Sequence, residues 1–115
     1  MAPVTGLSTA HLDDMVKGWF VGAFTPTAHH TDACEVSVRR YAAGDAEGLH
    51  HHRIATELTV VVEGRVRMCG QEFGPGSIVT LAPNTATDFL ALDDALCVVV
   101  KTPGALHDKY EGMPA

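Results

Sequence analysis

Three side chains able to bind a metal fall close together in this sequence: His50, His52 and Glu57. They lie in Gly44-Asp-Ala-Glu-Gly-Leu-His50-His51-His52-Arg-Ile-Ala-Thr-Glu57, and the next glycine is Gly64. A His-x-His pair and a carboxylate are thus bracketed by two glycines placed to turn the chain. In a β-strand, residues i and i+2 project from the same face. His50 and His52 therefore point one way, and His51 points the other, where it is expected to meet solvent. Glu57 opens an apolar strand on which Glu57, Thr59 and Val61 share one face and Leu58, Val60 and Val62 the other. An inward Glu57 is a carboxylate inside an apolar interior, which is costly unless it is paired or bound to a metal. One divalent cation held by His50, His52 and Glu57 meets that need. Two imidazoles and a carboxylate suit Fe, Mn, Ni, Co or Zn. Three protein ligands leave positions open for substrate, water or O2. The competing view of such a triplet is a solvated surface loop with adventitious affinity for Ni or Zn; the spacing of Glu57 and both glycines weighs against it.

The elements that must position these groups read as short strands. Trp19–Phe24 is apolar and ends at Thr25-Pro26. Cys34–Tyr41 alternates, with Val36 and Val38 opposite Ser37, Arg39 and Tyr41. Residues 42–48 read as a loop. Glu57–Val62 is β-branched, and Glu63-Gly64 predicts a tight hairpin turn into Arg65–Cys69. A short strand within 70–76, then Ser77–Leu81, Thr87–Leu92 and Leu96–Thr102, complete the set. One helical turn is possible at Leu12–Lys17 before Gly18. Short strands at this spacing predict an all-β sandwich or barrel of six to eight strands. The 115 residues fit a single domain. Within it, 1–18 form an irregular N-terminal arm, about 34–102 the barrel, and 103–115 a tail over the surface.

Composition narrows the function. A net charge of −6 argues against a nucleic-acid footprint, and no apolar run reaches the length of a membrane span. The first ten residues lack the basic start and apolar stretch of a signal peptide. Cys34, Cys69 and Cys97 are odd in number and form no CxxC, so the expectation is a cytoplasmic protein with reduced thiols in or near the core. No serine stands in a nucleophile elbow, and no catalytic acid or base is identifiable.

The spacing from Gly44 through His50, His52 and Glu57 to Gly64 is similar to the first sequence motif of the cupin family. Gly76-Ser-Ile-Val-Thr-Leu-Ala-Pro83-Asn84-Thr-Ala-Thr87 resembles the second, with Pro83-Asn84 at its turn and Thr87 where that motif carries a histidine. The resemblance covers about residues 34–102. It implies a double-stranded β-helix, a jelly-roll-like barrel, with a metal inside one mouth. Family members commonly use three histidines and one glutamate, so a fourth position is open here. Thr87 acting through a water, or Asp88 re-aimed by a β-bulge, are the two candidates for it. His29 or His30 could also approach from the flanking segment.

Tyr41, Arg39, Thr59 and Arg67 are candidates for a substrate pocket, an inward arginine being a good clamp for a carboxylate or phosphate. Arg39 and Arg40 must face opposite ways, and Arg65 shares a face with Arg67. All four arginines would otherwise be exposed sheet charges. Two functions fit. One is a metal-dependent enzyme acting on a small polar metabolite by oxygenase, isomerase or lyase chemistry. The other is a non-catalytic barrel that holds a small carbohydrate or carboxylate with a weak metal site. The outward apolar residues Leu58, Val60 and Val62 call for a partner surface, so a homodimer is expected.

Overall fold

The computed structural model describes residues 4–115; the first three residues of the expected N-terminal arm lie outside them. After a single 3-10 turn at Leu12–Asp14 the chain forms ten strands: β1 (Trp19–Val21), β2 (Glu35–Tyr41), β3 (Ala46–His51), β4 (Thr56–Glu63), β5 (Val66–Met68), β6 (Gln71–Phe73), β7 (Ile78–Leu81), β8 (Thr87–Ala91), β9 (Ala95–Thr102) and β10 (Tyr110–Glu111). They build two five-stranded antiparallel sheets, ordered β1-β2-β9-β4-β7 and β10-β3-β8-β5-β6. This is the double-stranded β-helix that the family resemblance implies, with two strands more than the upper bound. The additional ones are β3, whose first half had read as loop, and β10 in the tail.

Strict alternation explains which side of each strand is buried. On β4, Glu57, Thr59 and Val61 face inward, as do Ala95, Cys97 and Val99 on β9. Val61, Val66, Met68, Val79, Leu81, Phe89, Ala91, Ala95 and Cys97 form the apolar core, with Tyr41 and Phe73 packed against them. Toward one end the inward positions turn polar, and the site lies there. Outward, Leu58, Val60, Val98 and Val100 are half-buried, while Val62 and Ile78 are exposed.

The Glu63-Gly64 turn is not a hairpin. β4 and β5 belong to different sheets, and the turn carries the chain across the barrel edge. Gly64 has φ +81°, and a Cβ there would lie 2.2 Å from the Asp94 carbonyl oxygen, so glycine is required by both backbone and space. The local hairpin is β5–β6, turning at Cys69 (φ +51°) and Gly70. Cys69 is therefore exposed, against the expectation of core packing; Cys97 is buried and Cys34 intermediate.

The tail does more than cover a surface. β10 adds to the edge of β3, pairing Tyr110 with His51 and Glu111 with His50. His51 is buried under it, not solvated: its Nδ1 lies 2.8 Å from the Gly112 carbonyl and its ring stacks on Tyr110. The Arg53 guanidinium lies 3.8 Å from the centroid of the Tyr110 ring. Asp108, also buried, accepts the backbone N–H groups of Arg53 (2.9 Å), Ile54 (3.1 Å) and Ala55 (2.9 Å). It thus satisfies the loop that joins His52 to Glu57.

Burial pushes the Asp108 carboxyl up, but the three backbone donors outweigh it and hold it below the usual carboxylate range. A depressed carboxyl stabilises the fold at neutral pH, and that contribution is lost as pH falls through its folded value. Asp108→Ala is expected to cost about 1–3 kcal/mol at pH 7, because three donors lose their acceptor. Chemical denaturation stepped from pH 7 toward pH 3 should show the difference from wild type shrinking with acid; a difference independent of pH would contradict this role.

Candidate metal centre

His50 reaches the barrel interior from the end of β3, and His52 from the residue just beyond it. Glu57 comes from the start of β4 in the facing sheet. All three are buried. The imidazole rings are 5.7 Å apart and nearly perpendicular, and His52 Nδ1 is 3.7 Å from Glu57 Oε2. His50 Nδ1 lies 2.8 Å from the Gly48 carbonyl oxygen. That contact assigns the Nδ1–H tautomer, which leaves the Nε2 lone pair free, the usual state of a metal-binding histidine. His52 Nε2 is buried with no hydrogen-bond partner, an exceptional state for an interior polar atom.

The electrostatics agree with that donor set. Burial, then the charges of Lys101 and His50, push His52 down to about 4, so its ring is neutral at pH 7. Burial raises Glu57 against the opposing pull of Lys101 and His50, so its charge is only partly compensated by the protein. Lys101 stands directly across from Glu57 in the β4–β9 register. Among the described residues no three or more His, Cys, Asp or Glu side chains are arranged closely enough to hold a metal ion as they stand. The residues fit a cation by donor chemistry: two neutral imidazole nitrogens and one under-compensated carboxylate.

These groups line one side of a cavity of about 190 Å³. Tyr41, Arg39 and Thr59 line it too. Tyr41 packs on Phe89 with ring centroids 4.5 Å apart, and the Arg39 guanidinium is 5.0 Å from the Tyr41 ring. Burial, partly offset by Arg39, raises the Tyr41 hydroxyl to about 12, so it stays protonated as a donor. Arg67 is a correction: it is exposed on the outer face of β5, between the inward Val66 and Met68. Asp88 is another. β8 is regular from Thr87 to Ala91, so Asp88 points outward to solvent. Thr87 does face the cavity, across from His50. Its hydroxyl is already committed, donating to the Asp88 carbonyl (2.6 Å) and accepting from Cys69 N–H (3.1 Å). His29 and His30 are exposed and do not line the cavity.

Lys17, Trp19, Glu47, Lys101 and Lys109, with the apolar Met68, Phe89 and Val99, are the lining residues that the sequence did not mark. Alternation along β9 through Cys97 and Val99 does bring Lys101 inward, so it was readable. Lys17 and Trp19 arrive from the N-terminal arm. There Gly18 (φ +76°) lies against Val38, where a Cβ would meet the carbonyl oxygen at 1.9 Å. Lys109 arrives on the tail. Glu47 was hidden in the expected loop, and no one-dimensional signal marks the strand that holds it. The cavity thus gathers all three lysines and Arg39 of a chain whose net charge is −6.

No family model matches this sequence, and no curated protein matches it. Solved structures do. KdgF from Halomonas sp. superposes with a TM-score of 0.58 at 23% identity, over 64% of this chain and 73% of that one. An uncharacterized conserved protein with a double-stranded β-helix domain from Klebsiella pneumoniae gives 0.59 at 20% identity, over 64% and 70%. The DMSP lyase DddQ from Ruegeria pomeroyi gives 0.64 at 19% identity, over 81% of this chain and 49% of that one. At these identities the likeness speaks for architecture. Together with the two-sheet topology and the position of the histidine pair, it shows that the chain has the fold of a small cupin.

Proposed function

We propose that the protein is a metal-dependent cupin that acts on a small anionic metabolite through one divalent ion at His50, His52 and Glu57. The observation that carries this reading is His52 Nε2, a buried nitrogen without a partner beside a carboxylate whose charge the protein compensates only in part. A bound divalent ion supplies Lewis-acid or redox chemistry. The protein's own residues do the rest. Arg39, Lys101 and the rim lysines Lys17 and Lys109 face Glu47 and Glu57 across the cavity, leaving two positive charges in excess before any ion is counted. That excess favours a carboxylate or similar anion. The protonated Tyr41 offers a hydrogen bond to substrate oxygen, while Met68, Phe89 and Val99 form an apolar wall that limits water. At about 190 Å³ the cavity is smaller than pockets for drug-sized ligands, so the substrate is small. Among the similar structures are a DMSP lyase and an oxalate decarboxylase, which supports an enzyme. The alternative of a non-catalytic binding protein draws on Thr87, which puts a hydroxyl already engaged in two hydrogen bonds, not an imidazole, at the family's third histidine position.

Tag-free protein should carry one equivalent of a divalent metal by elemental mass spectrometry, lost in His50→Ala. Wild-type protein that takes up no metal after reloading would sink this reading. Small mono- and dicarboxylates should bind the loaded protein and weaken by about tenfold or more in Arg39→Ala, the scale of a charge-assisted hydrogen bond; equal binding by wild type and variant would remove the anionic substrate.

Assembly belongs to the same proposal. Two copies pair through the outer face of the first sheet, around Val60, Val98 and the exposed Ile78. Light scattering should give a dimer that Ile78→Glu dissociates, whereas a wild-type monomer at high concentration would contradict it.

A further inference from the structure

We infer that Glu47 is a fourth donor of the metal centre, taking the role that Thr87 cannot fill. This rests on the metal site proposed above. In an unbroken strand, residues three apart face opposite sides. β3 is broken: Glu47 pairs with Phe89 and His50 with Thr87, so three steps along β3 match two along β8. The extra residue is a β-bulge over Gly48 and Leu49, and such bulges re-aim side chains. It turns Glu47 to the inside, where it lines the cavity with His50, His52 and Glu57. Glu47 Oε2 lies 3.9 Å from His50 Nε2. That nitrogen is the one left unprotonated in the neutral ring, since Nδ1–H is directed at the Gly48 carbonyl. The Nε2 atom of His50 and the Glu47 carboxylate thus border one space inside the cavity, 3.9 Å apart, where a shared cation would sit.

The other contacts of Glu47 are loose. Arg39 and Lys109 stand 3.6 Å and 3.8 Å from its oxygens, beyond hydrogen-bond length. They hold the carboxylate at the cavity wall without locking it. Thr87, directly opposite His50, has its only proton and one of its two lone pairs committed. The bulge that sequence reasoning considered for β8, to bring in Asp88, is found on β3 instead and brings in Glu47.

The test uses full-length protein stripped by chelator and reloaded with Co(II). Affinity is read by competition with a chromophoric chelator, and ligand number by the visible absorption of bound Co(II). Glu47→Gln is expected to weaken Co(II) by about tenfold or more and to change the absorption spectrum. Weakened affinity with an unchanged spectrum assigns Glu47 a through-space charge and overturns ligation. Affinity within about twofold of wild type, alongside a large loss in His50→Ala, overturns the role of Glu47 while leaving the site standing. Unchanged affinity in both His50→Ala and Glu57→Gln removes the site itself, and Glu47 with it. Should Glu47→Gln fail to fold, Glu47→Asp keeps the charge but shortens its reach; a wild-type spectrum and affinity there would equally overturn the assignment.

Discussion

Glu57 and His52 face each other at the polar end of the barrel, and burial works against the polar groups of both. Their side chains are buried, one ring nitrogen has no partner, and burial works against the carboxylate's charge. An interior built for stability alone would place apolar side chains at both positions, since an under-compensated buried charge is destabilising. The apolar end built on Val61, Val66 and Cys97 must therefore offset the strain of the polar end. Stability and site share one barrel interior, with Met68 and Phe89 belonging to both.

Holding such groups in place requires rigid supports. The His52–Glu57 connection is a loop, and loops left alone are mobile. Here it is bound on both sides. Asp108 takes three of its backbone donors, and the Arg53, Tyr110 and His51 rings and guanidinium pack into a layered stack against β3. The bond from His50 to Gly48 sets the orientation of the first imidazole. The tail thus positions the donors without touching the cavity, apart from Lys109 at its rim.

Strand alternation made much of this legible. It placed His50 and His52 together, set His51 apart, separated Arg39 from Arg40 and showed the outward row of Leu58, Val60 and Val62. Periodicity reports faces only inside regular strands, and the errors lie where regularity fails. The bulge on β3 hid Glu47. The crossing at Gly64 looked like a hairpin because glycine with positive φ serves both. Alternation sends His51 outward to solvent, and nothing in the sequence announces the strand that covers it, because β10 has only two residues and no periodic signature. Arg67 was misplaced for another reason: the face of β5 that turns inward is decided by Val66 and Met68, which a three-residue strand barely reveals. Contacts distant in sequence, such as Asp108 with Ile54 or Lys17 with the cavity, have no local signal.

The most direct measurement is anomalous X-ray diffraction from crystals of wild-type protein loaded with Mn(II) or Zn(II), collected at the metal's absorption edge. The account predicts one dominant anomalous peak per chain, bonded to Nε2 of His50 and His52 and to the Glu57 carboxylate. A loaded crystal with no peak in this cavity, or with its peak at exposed histidines such as His29 and His30, would contradict it.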